Sequence, residues 1–193
     1  MTGPRRIVLA SANRHKAHEL GRLLPGFDVQ PYAGALPEET GETFLENAQL
    51  KARHVHRELA GREWVLADDS GIEAAALSGA PGVRSARYAG EQASDEENLA
   101  KLVEALRGAS DRRVRYVAEL VAVSPQGEEV RARGELVGTL AEAPRGSGGF
   151  GYDPAFVPVG ESRTVAEMSA GEKDAISHRA RAAAALLPQL PRD

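Results

Sequence analysis

The chain contains no cysteine, so thiolate nucleophiles, cysteine metal sites and disulfides are excluded together. It has no surplus of positive charge either. Against 28 acidic residues stand 24 lysines and arginines, a formal net charge of -4, which provides no field for holding a polynucleotide backbone. A nucleic-acid polymer is therefore not an expected partner, although local arginines could still grip a small phosphorylated molecule. No apolar run reaches the length of a membrane span, and the one in MTGPRRIVLAS is too short for a signal peptide. The expectation is a cytoplasmic protein with no membrane partner. Lysine is also scarce: only Lys16, Lys51, Lys101 and Lys173 occur among many arginines.

What is present fits one domain, 1–193, of two lobes sharing a core, since 193 residues can bury a sizeable apolar interior. Ile7 to Ser11 reads as a short strand buried on both faces. A helix follows on Ala17, Leu20, Leu23 and Leu24, and Pro25-Gly26 stops it. After a loop with Pro31 and Pro37, Thr43-Phe-Leu-Glu46 has the form of a capping box. The helix behind it carries Phe44, Ala48, Ala52, Val55 and Leu59 at helical spacing and ends at Gly61. Trp64 to Ala67 reads as a second buried strand, which gives the opening third a layered α/β pattern. Ser94-Asp-Glu-Glu97 opens another helix, running to Gly108. Arg113 to Val123 and Glu128 to Leu140 are β-rich and joined by Ser124-Pro-Gln-Gly127, an antiparallel pair. A glycine-rich stretch, Pro144 to Pro158, then leads to a last helix from about Glu172 to Leu187.

The chemistry gathers at the ends of these elements. Asp68-Asp69-Ser70 follows the second strand, where ligands of open α/β sheets bind. Two readings stand there: a cap for a helix from Ile72 to Leu77, or a site for a hard cation held by carboxylates together with substrate phosphates. Neighbours in a strand point to opposite faces, so the two aspartates need not share a job. The acidic loop Pro37-Glu-Glu-Thr-Gly-Glu-Thr43 could fold over this strand end and add Glu39 or Glu42. Ser11-Ala12-Asn13-Arg14-His15-Lys16 joins a strand to a helix, so its free N–H groups and helix dipole suit an anion. In Gly146-Ser-Gly-Gly-Phe-Gly-Tyr-Asp153, glycines permit close backbone approach and Phe150 offers a ring for a base. Lys173, His178 and Arg179 add a cationic, donor-rich helix.

The blocks SANRHK, EETGETFLENAQLKA, ADDSG, GAPGVRSARYAG, GSGGFGYDP and EKDAISHRA, in this order, resemble the inosine triphosphate pyrophosphatase family over nearly the whole chain. The resemblance implies an elongated mixed central β-sheet flanked by helices, two lobes with a substrate groove between them, and a homodimer. It also implies a Mg²⁺-dependent conversion of ITP, dITP and XTP to the monophosphate and pyrophosphate. In the matching positions, Ser11, Ala12, Asn13, Arg14, His15 and Lys16 would hold the triphosphate. Glu39 and Asp69 would bind the metal, and Asp69 would activate the attacking water, with Asp68 in reserve. Ser70 would contact substrate, Phe150, Gly151, Tyr152 and Asp153 would enclose the base, and Lys173, His178 and Arg179 would read its 6-keto edge. Ser11 and Ala12 stand where the family often has threonine and glycine.

The competing readings are a pyrophosphatase for modified pyrimidine triphosphates and a non-catalytic nucleotide-binding module. Donors aimed at a 6-keto oxygen would reject adenine by facing its amino group. Guanine shares the keto group, and no residue of the sequence accounts for its rejection.

Overall fold

The computed structural model describes residues 4–191, so the two ends of the expected 1–193 domain lie outside it. Six strands form one mixed sheet: β1 (Arg5–Leu9), β2 (Phe27–Pro31), β3 (Trp64–Ala74), β4 (Arg113–Val123), β5 (Glu129–Leu140) and β6 (Phe156–Pro158). Their order is β2-β1-β3-β4-β5-β6. β1 is parallel to both β2 and β3, whereas β5 and β6 are antiparallel. Five α-helices accompany them: α1 (Arg14–Leu23), α2 (Phe44–Glu58), α3 (Asp95–Ala105), α4 (Ala170–Ile176) and α5 (His178–Leu186). Among the described residues no helix is long and apolar enough to cross a membrane.

The chain divides into two compact units. The first comprises Met1–Asp69, Ala118–Gly134 and His178–Asp193. Here the period-2 alternation of the strands sorts side chains into two cores. Ile7, Leu9, Leu66, Leu120 and Ala122 pack with Leu20, Leu24, Ala182, Ala183 and Leu186 of α1 and α5. The residues between them, Val8, Ala10, Val65, Ala67 and Val121, pack with Ala48, Ala52 and Val55 of α2. α2 starts where its sequence says it should, because Thr43 and Glu46 close a reciprocal capping box. The second unit, Ser70–Val117 and Glu135–Ser177, is built round Ile72, Leu99, Leu102, Leu106, Tyr116, Leu136 and Phe156. The rings of Tyr116 and Phe156 stack there with centroids 4.5 Å apart. Ser94 and Glu97 cap α3 as the sequence indicates.

Three expectations change. The strand expected over Trp64–Ala67 runs on to Ala74, straight through Asp68, Asp69 and Ser70. β1 stops at Leu9, opposite Leu66, but β3 still has the eleven-residue β4 as its other neighbour. The helix expected over Ile72–Leu77 is consequently absent, and only the 3₁₀ turn Ala75–Leu77 follows the strand. The single last helix is two, because Ser177 adopts an extended conformation between α4 and α5.

One close approach constrains the first unit. A Cβ on Gly134 of β5 would lie 2.1 Å from the carbonyl oxygen of His178 and 2.4 Å from the amide nitrogen of Ala182, both backbone of α5. Gly134→Ala should cost about 1–3 kcal/mol through forced displacement of that helix. Gly21, exposed in α1 with nothing within 4 Å of where a Cβ would sit, is the control. Gly21→Ala should stabilise by about 0.5–1 kcal/mol. Urea denaturation of both variants checks the opposite signs.

Candidate active site

The pleat of β3 separates its adjacent aspartates. Asp68 shares the parity of Leu66 and faces α1 and α5, while Asp69 shares that of Val65 and Ala67 and faces α2. The contacts follow suit. Asp68 has no exposed surface, and its carboxylate accepts from Lys16 Nζ at 2.5 Å and from Arg179 Nε at 2.8 Å. Arg179, itself 1% exposed, also donates to Glu19. On the other face, Lys51 Nζ donates to Asp69 Oδ1 at 2.7 Å, to Glu39 Oε1 at 2.7 Å and to the Asp68 carbonyl at 2.9 Å.

These surroundings push the two carboxyls apart. Burial alone would raise Asp68, but Arg179 and Lys16 override it and hold the group far below the ordinary carboxylate range. For Asp69 burial prevails and, with Glu39 nearby, raises the group despite Lys51 and Lys16. Burial works against the charge of Lys51, yet Asp69 and Glu39 outweigh it and raise that group as well.

The acidic loop does fold over to α2, as its sequence allows. Asn47 Oδ1 accepts from Gly41 N at 2.7 Å, and Glu46 accepts from the N–H groups of Glu42 and Thr43. Glu39 thereby meets Asp69 at one ammonium. The strand-to-helix loop is shaped by its own residues: Asn13 accepts from the N–H groups of His15 and Lys16, and Ser11 accepts from Asn13 N. Ala12, Arg14 and His15 are exposed at the start of α1. His178, the first residue of α5, is buried.

The remaining candidates lie in the second unit, beginning with half-buried Ser70. Asp153 organises them. Its carboxylate accepts from Tyr116 OH at 3.1 Å, Phe150 N at 2.9 Å and Lys173 Nζ at 2.7 Å. Lys173 Nζ also lies 4.7 Å from the centroid of the Phe150 ring, so the ring already carries a cation on one side. Gly149 turns the loop at φ 72°, and a Cβ there would reach to 2.1 Å from Asp153 Oδ2. Gly151 N donates to Asp95. Tyr152 is buried, with its hydroxyl donating to the Ser85 carbonyl at 2.7 Å; burial first, then Tyr88 and Asp95, keep that phenol protonated.

Sequence reasoning notes Lys51 as one of four lysines but gives it no role, and passes over Glu19. Both carry a signal: Lys51 lies three residues after Ala48 and four before Val55, on the apolar stripe of α2, and Glu19 adjoins Leu20 on that of α1. A charge on a buried stripe requires a partner. Among the described residues no three His, Cys, Asp or Glu side chains form a metal-binding group. Two converging carboxylates, Asp69 and the partly exposed Glu39, nevertheless fit Mg²⁺, which keeps several waters and takes substrate phosphates as ligands.

With this geometry, comparison with known proteins defines the class. The Ham1 family profile matches residues 7–189, and the chain belongs to that family. It is 48% identical over 185 residues to the dITP/XTP pyrophosphatase of Deinococcus deserti, covering 94% of this chain and 88% of that one. It is 47% identical over 200 residues to the dITP/XTP pyrophosphatase of Mycobacterium tuberculosis, covering 96% and 95%. A solved HAM1 protein from Coxiella burnetii superposes with a TM-score of 0.86 at 41% identity, over 96% of this chain and 98% of that one.

Since Asp68 is depressed, its folded form binds fewer protons than its unfolded form, so its stabilisation is complete above about pH 4 and declines as pH falls further. Asp68→Asn, which leaves Arg179 and Lys16 short of charge, should cost about 3–5 kcal/mol near neutrality. In urea denaturation at stepped pH, the gap between wild type and variant should narrow from pH 5 to pH 2.

Proposed function

We propose that this protein is a nucleoside triphosphate pyrophosphatase that converts dITP, XTP and ITP to the monophosphate and pyrophosphate, clearing deaminated purines from the nucleotide pool. The observation that carries the mechanism is the division of Asp68 from Asp69. Two adjacent carboxyls driven in opposite directions mark an acid-base assignment. Asp68 is the ionised anchor, and Asp69, whose carboxyl burial raises, is the better proton acceptor of the two.

In this reading Asp69 takes a proton from a water whose oxygen attacks the α-phosphorus. A new O–P bond forms on the α-phosphorus, the bridge to the β-phosphorus breaks, and pyrophosphate leaves. Glu39 and Asp69 would hold Mg²⁺, which when bound neutralises triphosphate charge and makes water more acidic. Residues 11–16 meet the triphosphate with the N-terminus of α1 and with Lys16. By the family resemblance Ser70, the Phe150–Asp153 turn, Lys173 and His178 would make the nucleotide contacts, with Phe150 as the stacking ring. Arg179 enters through Asp68, whose charge it balances. A homodimer belongs to the same reading on the strength of the family resemblance, and the cytoplasmic location expected from the sequence belongs to it too.

The test is hydrolysis of dITP, XTP, ITP, dUTP and dATP with Mg²⁺ and product analysis. Release of pyrophosphate from the first three in preference to dUTP and dATP is expected, and equal or faster dUTP cleavage would refute the assignment. Asp69→Asn should lower kcat by about 10²–10⁴ while dITP still binds. Near-normal turnover in that variant would remove Asp69 from the role of base.

A further inference from the structure

Lys51 uses its full donor capacity within the active site. An ammonium has three N–H bonds, and Lys51 places them on Glu39, Asp69 and the Asp68 carbonyl within 2.9 Å. The residue is 4% exposed and sits on the sheet-facing stripe of α2. Two of its three acceptors are the carboxylates assigned above to the metal. A cation surrounded by three oxygens, two of them anionic, has the form of a metal site with nitrogen at its centre.

Such an arrangement solves one problem and creates another. Glu39 and Asp69 would repel each other if brought together without a counter-charge, and Lys51 supplies it. Mg²⁺ binds oxygen at about 2.0–2.1 Å, so an ion held by both carboxylates would lie within a few ångströms of the ammonium. At that range two cations repel strongly in a water-poor site. We infer that Lys51 is an internal stand-in cation: it keeps Glu39 and Asp69 converged before the metal arrives, and it must withdraw from them for the metal to enter. Its four-carbon stem allows withdrawal without movement of α2. Lys51 is thus a positioning residue that competes with the metal, a role resting on the metal assignment made above.

The competition is measured on the nucleotide-free protein with Mn²⁺ as probe, following free Mn²⁺ by electron paramagnetic resonance. Lys51→Met keeps the apolar stem and removes the charge, so it should bind Mn²⁺ roughly 10-fold tighter than wild type. Glu39→Gln should bind it more weakly. Unchanged or weaker binding by folded Lys51→Met, with Glu39→Gln weakened, overturns the competition and leaves the metal assignment standing. Unchanged binding by Glu39→Gln overturns the metal assignment and this inference with it. Should Lys51→Met fail to fold, a crystal structure of wild-type protein with Mn²⁺ decides. Nζ withdrawn from both carboxylates supports the inference, and Nζ still within about 3 Å of both, beside a bound ion, overturns it.

Discussion

A carboxylate with no exposed surface must have its charge matched, and Asp68 imposes that requirement on the first unit. Meeting it takes three elements. Lys16 comes from the first turn of α1, Arg179 from the first turn of α5, and the acceptor from the middle of β3. Glu19, a turn after Lys16, then balances the second side of the guanidinium. The helix that presents the residue 11–16 loop is therefore anchored by two of its own charges. Apolar residues of similar size in place of these four charges would pack here without desolvation cost, so the network is better understood as fixing direction than as adding stability.

The alternation of a single strand does the rest. Because consecutive side chains leave β3 on opposite faces, a pair of neighbouring aspartates enters two unlike environments without any change of backbone. One face offers a guanidinium and an ammonium from separate helices. The other offers one ammonium that is shared with a second carboxylate. Proton affinity diverges accordingly, downward for Asp68 and upward for Asp69, which is what the proposed roles of anchor and base require.

Much of this is legible in the chain. Thr43 and Ser94 declare their helices, and the apolar periods of α1 and α2 place both on the sheet. The sequence leaves open whether the acidic loop brings Glu39 or Glu42 to Asp69, and Lys51 between the carboxylates makes it Glu39. The extension of β3 is not legible, because Asp-Asp-Ser-Gly has the composition of a turn, and partners distant in the chain, β4 alongside and the bridge from Glu73 to Pro81, hold it extended. Nor is the break at Ser177, where no glycine or proline interrupts the helical run. Lys51 and Glu19 are readable in principle, as charges lying on apolar stripes. Asp153 reads from sequence as a wall for the base, but its carboxylate spans Tyr116, Phe150 and Lys173, residues far apart in the chain whose convergence no local pattern announces.

The segmentation of the chain has a consequence for its biosynthesis. Domains tend to fold as their residues leave the ribosome. The second unit needs nothing beyond Ser177, so all its parts emerge before the first unit is complete. The first unit begins earliest yet waits for Arg179, and until then Asp68 lacks the partner that lets it be buried. On the ribosome, the order of completion is the reverse of the order of synthesis. Through that interval the face of β3 that carries Leu66 and Asp68 has α1 to cover it but not yet α5.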